Sequence, residues 1–281
     1  MDIVANNISH AYAGKPVLEQ ASFRLQPNKI YGLIGENGSG KTTLISILAG
    51  IQKSQSGDIQ HVSEPGLLLQ NVGFYQNLSA LDNLRLFAYE RGVPEAMIGE
   101  VLQLTSFSTD FFQKKYKHLS QGYKQRLGIA RSFLTHGNLI LLDEPFTAVD
   151  LPTVRVLKRA IRQYVAQNGK TLLISSHQLK EVSDLLDETL LIRAKKIVAF
   201  QHTGTQHANV LYITFETIAQ AIEYLQTNTN IRLMRQIDET CEIALEEDYE
   251  LGQFVSWLRQ ANVAWTKIDK RAPLEFLFFD A

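Results

Sequence analysis

The sequence predicts an α/β domain on a mostly parallel sheet, followed by a small α+β domain. Three features point there. Short continuous apolar runs at 29–34, 139–142 and 171–175 are each followed by polar residues and a helix-spaced segment, the alternation that builds parallel sheets. A polar stretch at 201–208, Gln-His-Thr-Gly-Thr-Gln-His-Ala, interrupts the pattern. Beyond it the pattern restarts on a shorter scale. The expected division is therefore 1–203 and 204–281.

Within the first domain, 3–9 and 21–25 read as strands around a turn at Ala13-Gly14-Lys15-Pro16. The run 29–34 reads as a buried strand ending in glycine. Leu44, Ile45, Leu48 and Ala49 then fall at helical spacing. Ser79-Ala80-Leu81-Asp82 has the form of a capping box, so a helix is expected to start there. In the second domain, 210–215, 231–233, 263–268 and 274–279 are strand-like, and 218–225 and 249–260 are helical.

Composition narrows the class. Of 281 residues, 45% are hydrophobic and 20% charged, a globular balance that can bury a core without staples. The net charge of -1 gives no electrostatic reason to expect a nucleic-acid partner. Cys241 is the sole cysteine, which excludes an intramolecular disulfide and a cysteine zinc cluster, and it is expected to be an inert, partly buried thiol. The start, Met-Asp-Ile-Val-Ala-Asn-Asn, lacks the basic and apolar regions of a signal peptide. No apolar run approaches the roughly 18 residues that span a bilayer. Any service to a membrane would pass through another chain.

Three motifs carry chemistry. Gly35-Glu36-Asn37-Gly38-Ser39-Gly40-Lys41-Thr42, followed by Thr43, fits G-x-x-x-x-G-K-[ST] between a strand and a helix. Glycines let the backbone curl N–H groups around phosphate oxygens, and the helix start adds unpaired N–H groups. Lys41 is placed to neutralise the β and γ phosphates of ATP, and Thr42 to ligate Mg²⁺. The apolar run 139–142 ends in Asp143 and Glu144. Asp143 is expected to hold Mg²⁺ through its water shell, and Glu144 to act as general base on the attacking water. His177, after Ser175-Ser176 at another strand end, takes the position of a γ-phosphate sensor; the other six histidines have no such context.

Between these motifs lies Leu119-Ser120-Gln121-Gly122-Tyr123-Lys124-Gln125-Arg126-Leu127-Gly128-Ile129-Ala130-Arg131. This resembles the L-S-G-G-Q signature of ABC ATPases, with Gln121 in place of a glycine and Tyr123 in place of the glutamine. The resemblance covers 1–203 and implies a P-loop ABC ATPase domain with a mostly parallel core sheet, an antiparallel β subdomain and a helical subdomain. It implies that Ser120, Gln121 and Gly122 meet the γ-phosphate of ATP held by a second ABC ATPase subunit. It also implies that Tyr12 stacks on adenine, that Gln70 touches Mg²⁺ and the attacking water, and that Asp150 lies in a loop crossing the dimer interface. Only 79 positions separate Lys41 from Ser120, which excludes the long coiled-coil insertions of chromosome-maintenance members.

The ending Ala272-Pro273-Leu274-Glu275-Phe276-Leu277-Phe278-Phe279 resembles the C-terminal extension of bacterial exporter-type subunits, as does Lys-Gln-Arg-Leu-Gly-Ile-Ala in the signature helix. The implied protein is a cytoplasmic ATPase on the inner face of the cell membrane, paired with separate transmembrane permease subunits. Two rival readings stand beside it. One is an ABC ATPase acting on a machine without a membrane, which would usually carry two ATPase domains. The other is a regulatory subunit that hydrolyses ATP weakly.

Overall fold

The computed structural model describes residues 1–69, 73–177, 179–201, 210–246 and 249–269. The chain divides into two compact units, Met1–His202 and Thr203–Ala281.

In the first unit, β1 (Ile3–Tyr12), β2 (Lys15–Leu25), β3 (Ile30–Ile34), α1 (Lys41–Leu48), β4 (Ser56–Gln60), β5 (Gly66–Leu68), α2 (Ala80–Glu90), α3 (Ala96–Leu104), α4 (Gln121–Phe133), β6 (Leu139–Asp143), α5 (Leu151–Asn168), β7 (Thr171–Ser176), α6 (Leu179–Val182), β8 (Glu188–Arg193) and β9 (Lys196–Gln201) follow in order. A six-stranded sheet runs β5-β6-β7-β3-β8-β9. It is parallel except for the terminal β8–β9 hairpin. Every residue of β3, β6 and β7 is buried, which is why these strands read as unbroken apolar runs rather than alternating ones. A three-stranded antiparallel sheet, β2-β1-β4, packs its alternate residues Ile3, Ala5, Ile8, Leu18, Ala21, Phe23 and Leu25 into one core with Leu44, Leu48, Leu141 and Leu173.

Ser79 caps α2 by accepting from the Asp82 N–H at 3.0 Å, so the capping signal in the sequence marks the real helix start. Strands β4 and β5 escaped the sequence reading. β4 is largely exposed with no apolar alternation, and β5 is three residues long.

The second unit contains β10 (Val210–Phe215), α7 (Ile218–Leu225), β11 (Ile231–Ile237), β12 (Thr240–Leu245), α8 (Leu251–Gln260) and β13 (Trp265–Asp269). Its sheet order is β11-β12-β10-β13, with every neighbouring pair antiparallel. This β-α-β-β-α-β path is the ferredoxin-like arrangement. Leu211, Ile213, Phe215, Ile243, Phe254 and Leu258 form its core. Cys241 lies inside that core, completely buried rather than partly so, and burial pushes its thiol up to about 11. Of the linker expected at 201–208, Gln201 ends β9, and the rest, like the strand expected at 274–279, lies outside the described residues.

Candidate active site

The carboxyl ends of β3, β6 and β7 are neighbours in the parallel sheet, the edge where open α/β sheets gather ligands. The loop from Gly35 to Gly40 leaves β3 and enters α1. Gly38 and Gly40 take φ of 81° and 107°, which only glycine adopts without strain. A Cβ on Gly40 would stand 2.9 Å from Val17 Cγ1. The loop therefore stays tight against β2 only because side chains are missing. The Ser39 hydroxyl is buried without a partner among the described residues, a donor suited to an anion.

Lys41 is buried, and its ammonium donates to the carbonyls of Gly35 at 2.8 Å and Glu36 at 3.0 Å. Burial holds its pKa below the ordinary lysine value, and the negative charges of Glu144 and Asp143 oppose that shift. The Thr42 hydroxyl donates to Asp143 Oδ2 at 2.8 Å. Asp143, itself buried, accepts from the Ser175 hydroxyl on its other oxygen. That contact follows from register, since Asp143 on β6 pairs with Ser175 on β7.

Ser175 is a residue whose role sequence reading left blank. Its hydroxyl also accepts from the Glu144 N–H at 3.0 Å, so one side chain orients both acids. Glu144 sits at φ 49°, an unusual value for a residue with a Cβ. Its carboxylate lies 3.0 Å from His177 Nδ1 on both oxygens. Gln125, on α4, holds the same corner by donating to the carbonyls of Glu144 at 3.2 Å and Pro145 at 3.0 Å. No sequence signal singled it out inside an amphipathic helix.

Thr42 and Asp143 offer hard oxygen donors side by side. No group of three or more His, Cys, Asp or Glu side chains suited to a metal occurs among the described residues. One carboxylate plus one hydroxyl, with phosphates and water completing the shell, is the way Mg²⁺ is usually held, so these residues fit that ion.

Ser120 is the N-cap of α4, accepting from the Tyr123 N–H at 3.4 Å, and Gln121 and Gly122 form the first turn. A Cβ on Gly122 would come 3.0 Å from the Ala148 carbonyl, so the signature turn lies against the loop that follows the acids. Tyr123 packs into an aromatic cluster, 4.1 Å from Phe111 and 5.2 Å from Phe107 between ring centroids, with the Arg126 guanidinium 4.0 Å over its face. Asp150 caps α5 through Thr153, whose N–H and hydroxyl hold its carboxyl below the usual range. Tyr12, at the end of β1, is 49% exposed, and its hydroxyl donates to Gln52 Oε1 at 2.8 Å. Gln70 lies outside the described residues. Gly73, Phe74, Tyr75, Phe87 and Arg131 line a cavity of about 330 Å³.

Comparison with known proteins adds to this geometry. The family profile described as ABC transporter matches residues 18–147. An uncharacterized ABC transporter ATP-binding protein of Methanocaldococcus jannaschii is 29% identical over 281 residues, covering 99% of this chain and 98% of that one. The lantibiotic transport ATP-binding protein SrtF of Streptococcus pyogenes is 31% identical over 216 residues, covering 73% of this chain and 93% of its own length. In fold, the chain is similar to the dimeric structure of MJ0796, a bacterial ABC transporter cassette, with a TM-score of 0.65 at 20% identity, over 72% of this chain and 99% of that one.

Proposed function

The chain belongs to the ABC transporter family, whose ATP-binding proteins hydrolyse ATP and work as dimers with transmembrane permeases; on that premise we propose a composite ATP site shared with a second cassette, powering export. The observation that carries the reading is the convergence of Lys41, Thr42, Asp143 and Glu144 at the carboxyl ends of β3 and β6.

The 35–43 loop cradles the triphosphate. Lys41 exchanges its two loop carbonyls for phosphate oxygens. Thr42 and Asp143 would hold Mg²⁺, with Gln70 as the further ligand the family resemblance implies, and the ion would neutralise charge on the phosphate oxygens. Glu144 takes a proton from the attacking water, and His177 orients Glu144 and senses the γ-phosphate. Tyr12 carries the adenine. Ser120, Gln121 and Gly122 of one cassette complete the site of the other, and Asp150 lies on the loop between them.

Among the described residues no helix is long and apolar enough to cross a membrane. The protein acts from the cytoplasmic face, with a permease segment seated in the cavity beside Phe74 and Arg131. Lantibiotic transport by the Streptococcus pyogenes relative and the exporter-like ending at 272–279 favour export over import. The C-terminal unit is an accessory domain of the same subunit. A tagged Glu144→Gln protein, captured with ATP from detergent-solubilised membranes of its source, is expected to bring a stoichiometric polytopic membrane protein. Recovery of soluble partners alone would overturn the transporter reading.

A further inference from the structure

His10 and Tyr12 are two positions apart on β1, so both side chains project from one face of the strand. Their rings meet edge to face, with centroids 4.9 Å apart. Gln52 joins them. Its amide oxygen accepts from the Tyr12 hydroxyl at 2.8 Å, and its amide nitrogen lies within hydrogen-bonding distance of His10 Nε2. His10 accepts there only as the neutral tautomer protonated on Nδ1. Nδ1 is buried and has no partner among the described residues. The Tyr12 hydroxyl also stands 3.4 Å from Thr43 Oγ1.

These contacts tie Tyr12 to both ends of α1. Thr43 is in its first turn, at the end of the phosphate-binding segment. Gln52 follows its last turn, with its backbone N–H donating to the Ser46 carbonyl at 3.1 Å. An exposed phenol with one tether would swing about its Cα–Cβ bond. With its hydroxyl bonded to Gln52 and its ring packed edge to face with a buried imidazole, it is held at two points. An unpartnered buried ring nitrogen is a cost with no return in stability, which sets His10 apart from an ordinary core side chain.

We infer that Gln52 and His10 are positioning residues for the base platform, holding the Tyr12 ring at a fixed distance from the phosphate loop through α1. The inference rests on the reading of Tyr12 as the residue that stacks on the nucleotide base. It goes beyond that reading by assigning the base subsite a rigid support and naming the two side chains that supply it. The spacing between base and triphosphate is then set by one helix, and binding does not have to order the ring.

The test compares two ligands on the full chain by calorimetry: ATP, and inorganic tripolyphosphate, which has no base. Gln52→Leu removes both amide bonds, Tyr12→Phe removes the hydroxyl and keeps the ring, and Tyr12→Ala removes the platform. Gln52→Leu and Tyr12→Phe are each expected to weaken ATP roughly threefold to tenfold, the worth of one or two modest hydrogen bonds. Tripolyphosphate affinity is expected to stay at the wild-type value, and Tyr12→Ala to weaken ATP most. His10→Phe, which keeps an aromatic ring and loses the nitrogens, should follow Gln52→Leu. If Tyr12→Ala weakens ATP and Gln52→Leu does not, the support role is overturned and the base platform stands. Loss of both ligands in Gln52→Leu would place its effect on the phosphate loop and also overturn the support role. ATP affinity unchanged in Tyr12→Ala would remove the platform itself.

Discussion

At the ends of β3, β6 and β7 the polar side chains partner one another: Lys41 with the loop carbonyls, Thr42 and Ser175 with Asp143, His177 with Glu144. At the start of α4 the picture is different. Ser120 and Gln121 are exposed, and the one hydrogen bond of the Ser120 side chain among the described residues is to its own helix, at 3.4 Å. The first region is preorganised within the chain. The second is a helix N-terminus with unpaired N–H groups, chemistry that suits an anion the same chain does not supply. The contrast supports the proposed division, in which hydrolysis chemistry is built in each subunit and completed by a neighbour. The two regions still touch, through Gln125 on the Glu144 and Pro145 carbonyls, so a change in α4 can reach the proposed general base.

The sharpest way to separate the regions is Glu144→Gln. Turnover is expected to fall about 10²–10⁴-fold, the usual worth of a general base, with ATP affinity kept. Steady-state phosphate release beside equilibrium ATP binding reads both quantities. Next in size, Ser175→Ala leaves Asp143 and the Glu144 N–H without their shared partner. A cost of about 1–3 kcal/mol in unfolding free energy is expected, with turnover reduced alongside. An unchanged denaturation midpoint and rate would show that the acids are not held by Ser175. Within one subunit Ser120→Ala removes a helix cap, worth about 1 kcal/mol. Isolated subunits should still bind ATP normally while cooperative turnover drops. A loss of ATP affinity in the monomer would erase the distinction between the two regions.

The smallest effect concerns pH. Burial lowers the Lys41 pKa, and the group must be charged to hold phosphate. ATP affinity is therefore expected to be full in neutral solution and to decline with rising pH, starting below the ordinary lysine range. Titrating ATP affinity across the alkaline range, with tripolyphosphate alongside, reads this directly.

Much of the first region was legible in the sequence because its parts are contiguous. A glycine loop between a strand and a helix, and an apolar run ending in two acids, each carry their geometry in adjacent residues. Ser175, Gln125 and Gln52 did not stand out in the sequence. Ser175 meets Asp143 only through the β6–β7 register, and Gln125 reaches Glu144 across 19 positions of chain. Gln52 meets Tyr12 across 40. Such partners are set by tertiary placement, and their types are common on any surface. The departures at Gln121 and Tyr123 likewise gained a physical meaning only with neighbours in view. Tyr123 fills an aromatic cluster with Phe107 and Phe111, so its side chain is occupied in packing. In the second unit the sequence showed strands at 210–215, 231–233 and 263–268 and both helices, but not β12, because polar Thr240 and Glu242 and the lone Cys241 masked its alternation; the βαββαβ order emerges only with that strand in place.

The central claim is that the signature turn acts on a second cassette. Light scattering of Glu144→Gln protein with saturating ATP and Mg²⁺ tests it, against the same protein carrying Ser120→Arg as well. The account predicts an ATP-dependent doubling of mass in the first and a monomer in the second, both binding ATP equally. A dimer that survives Ser120→Arg, or no ATP-dependent association in either protein, would contradict it.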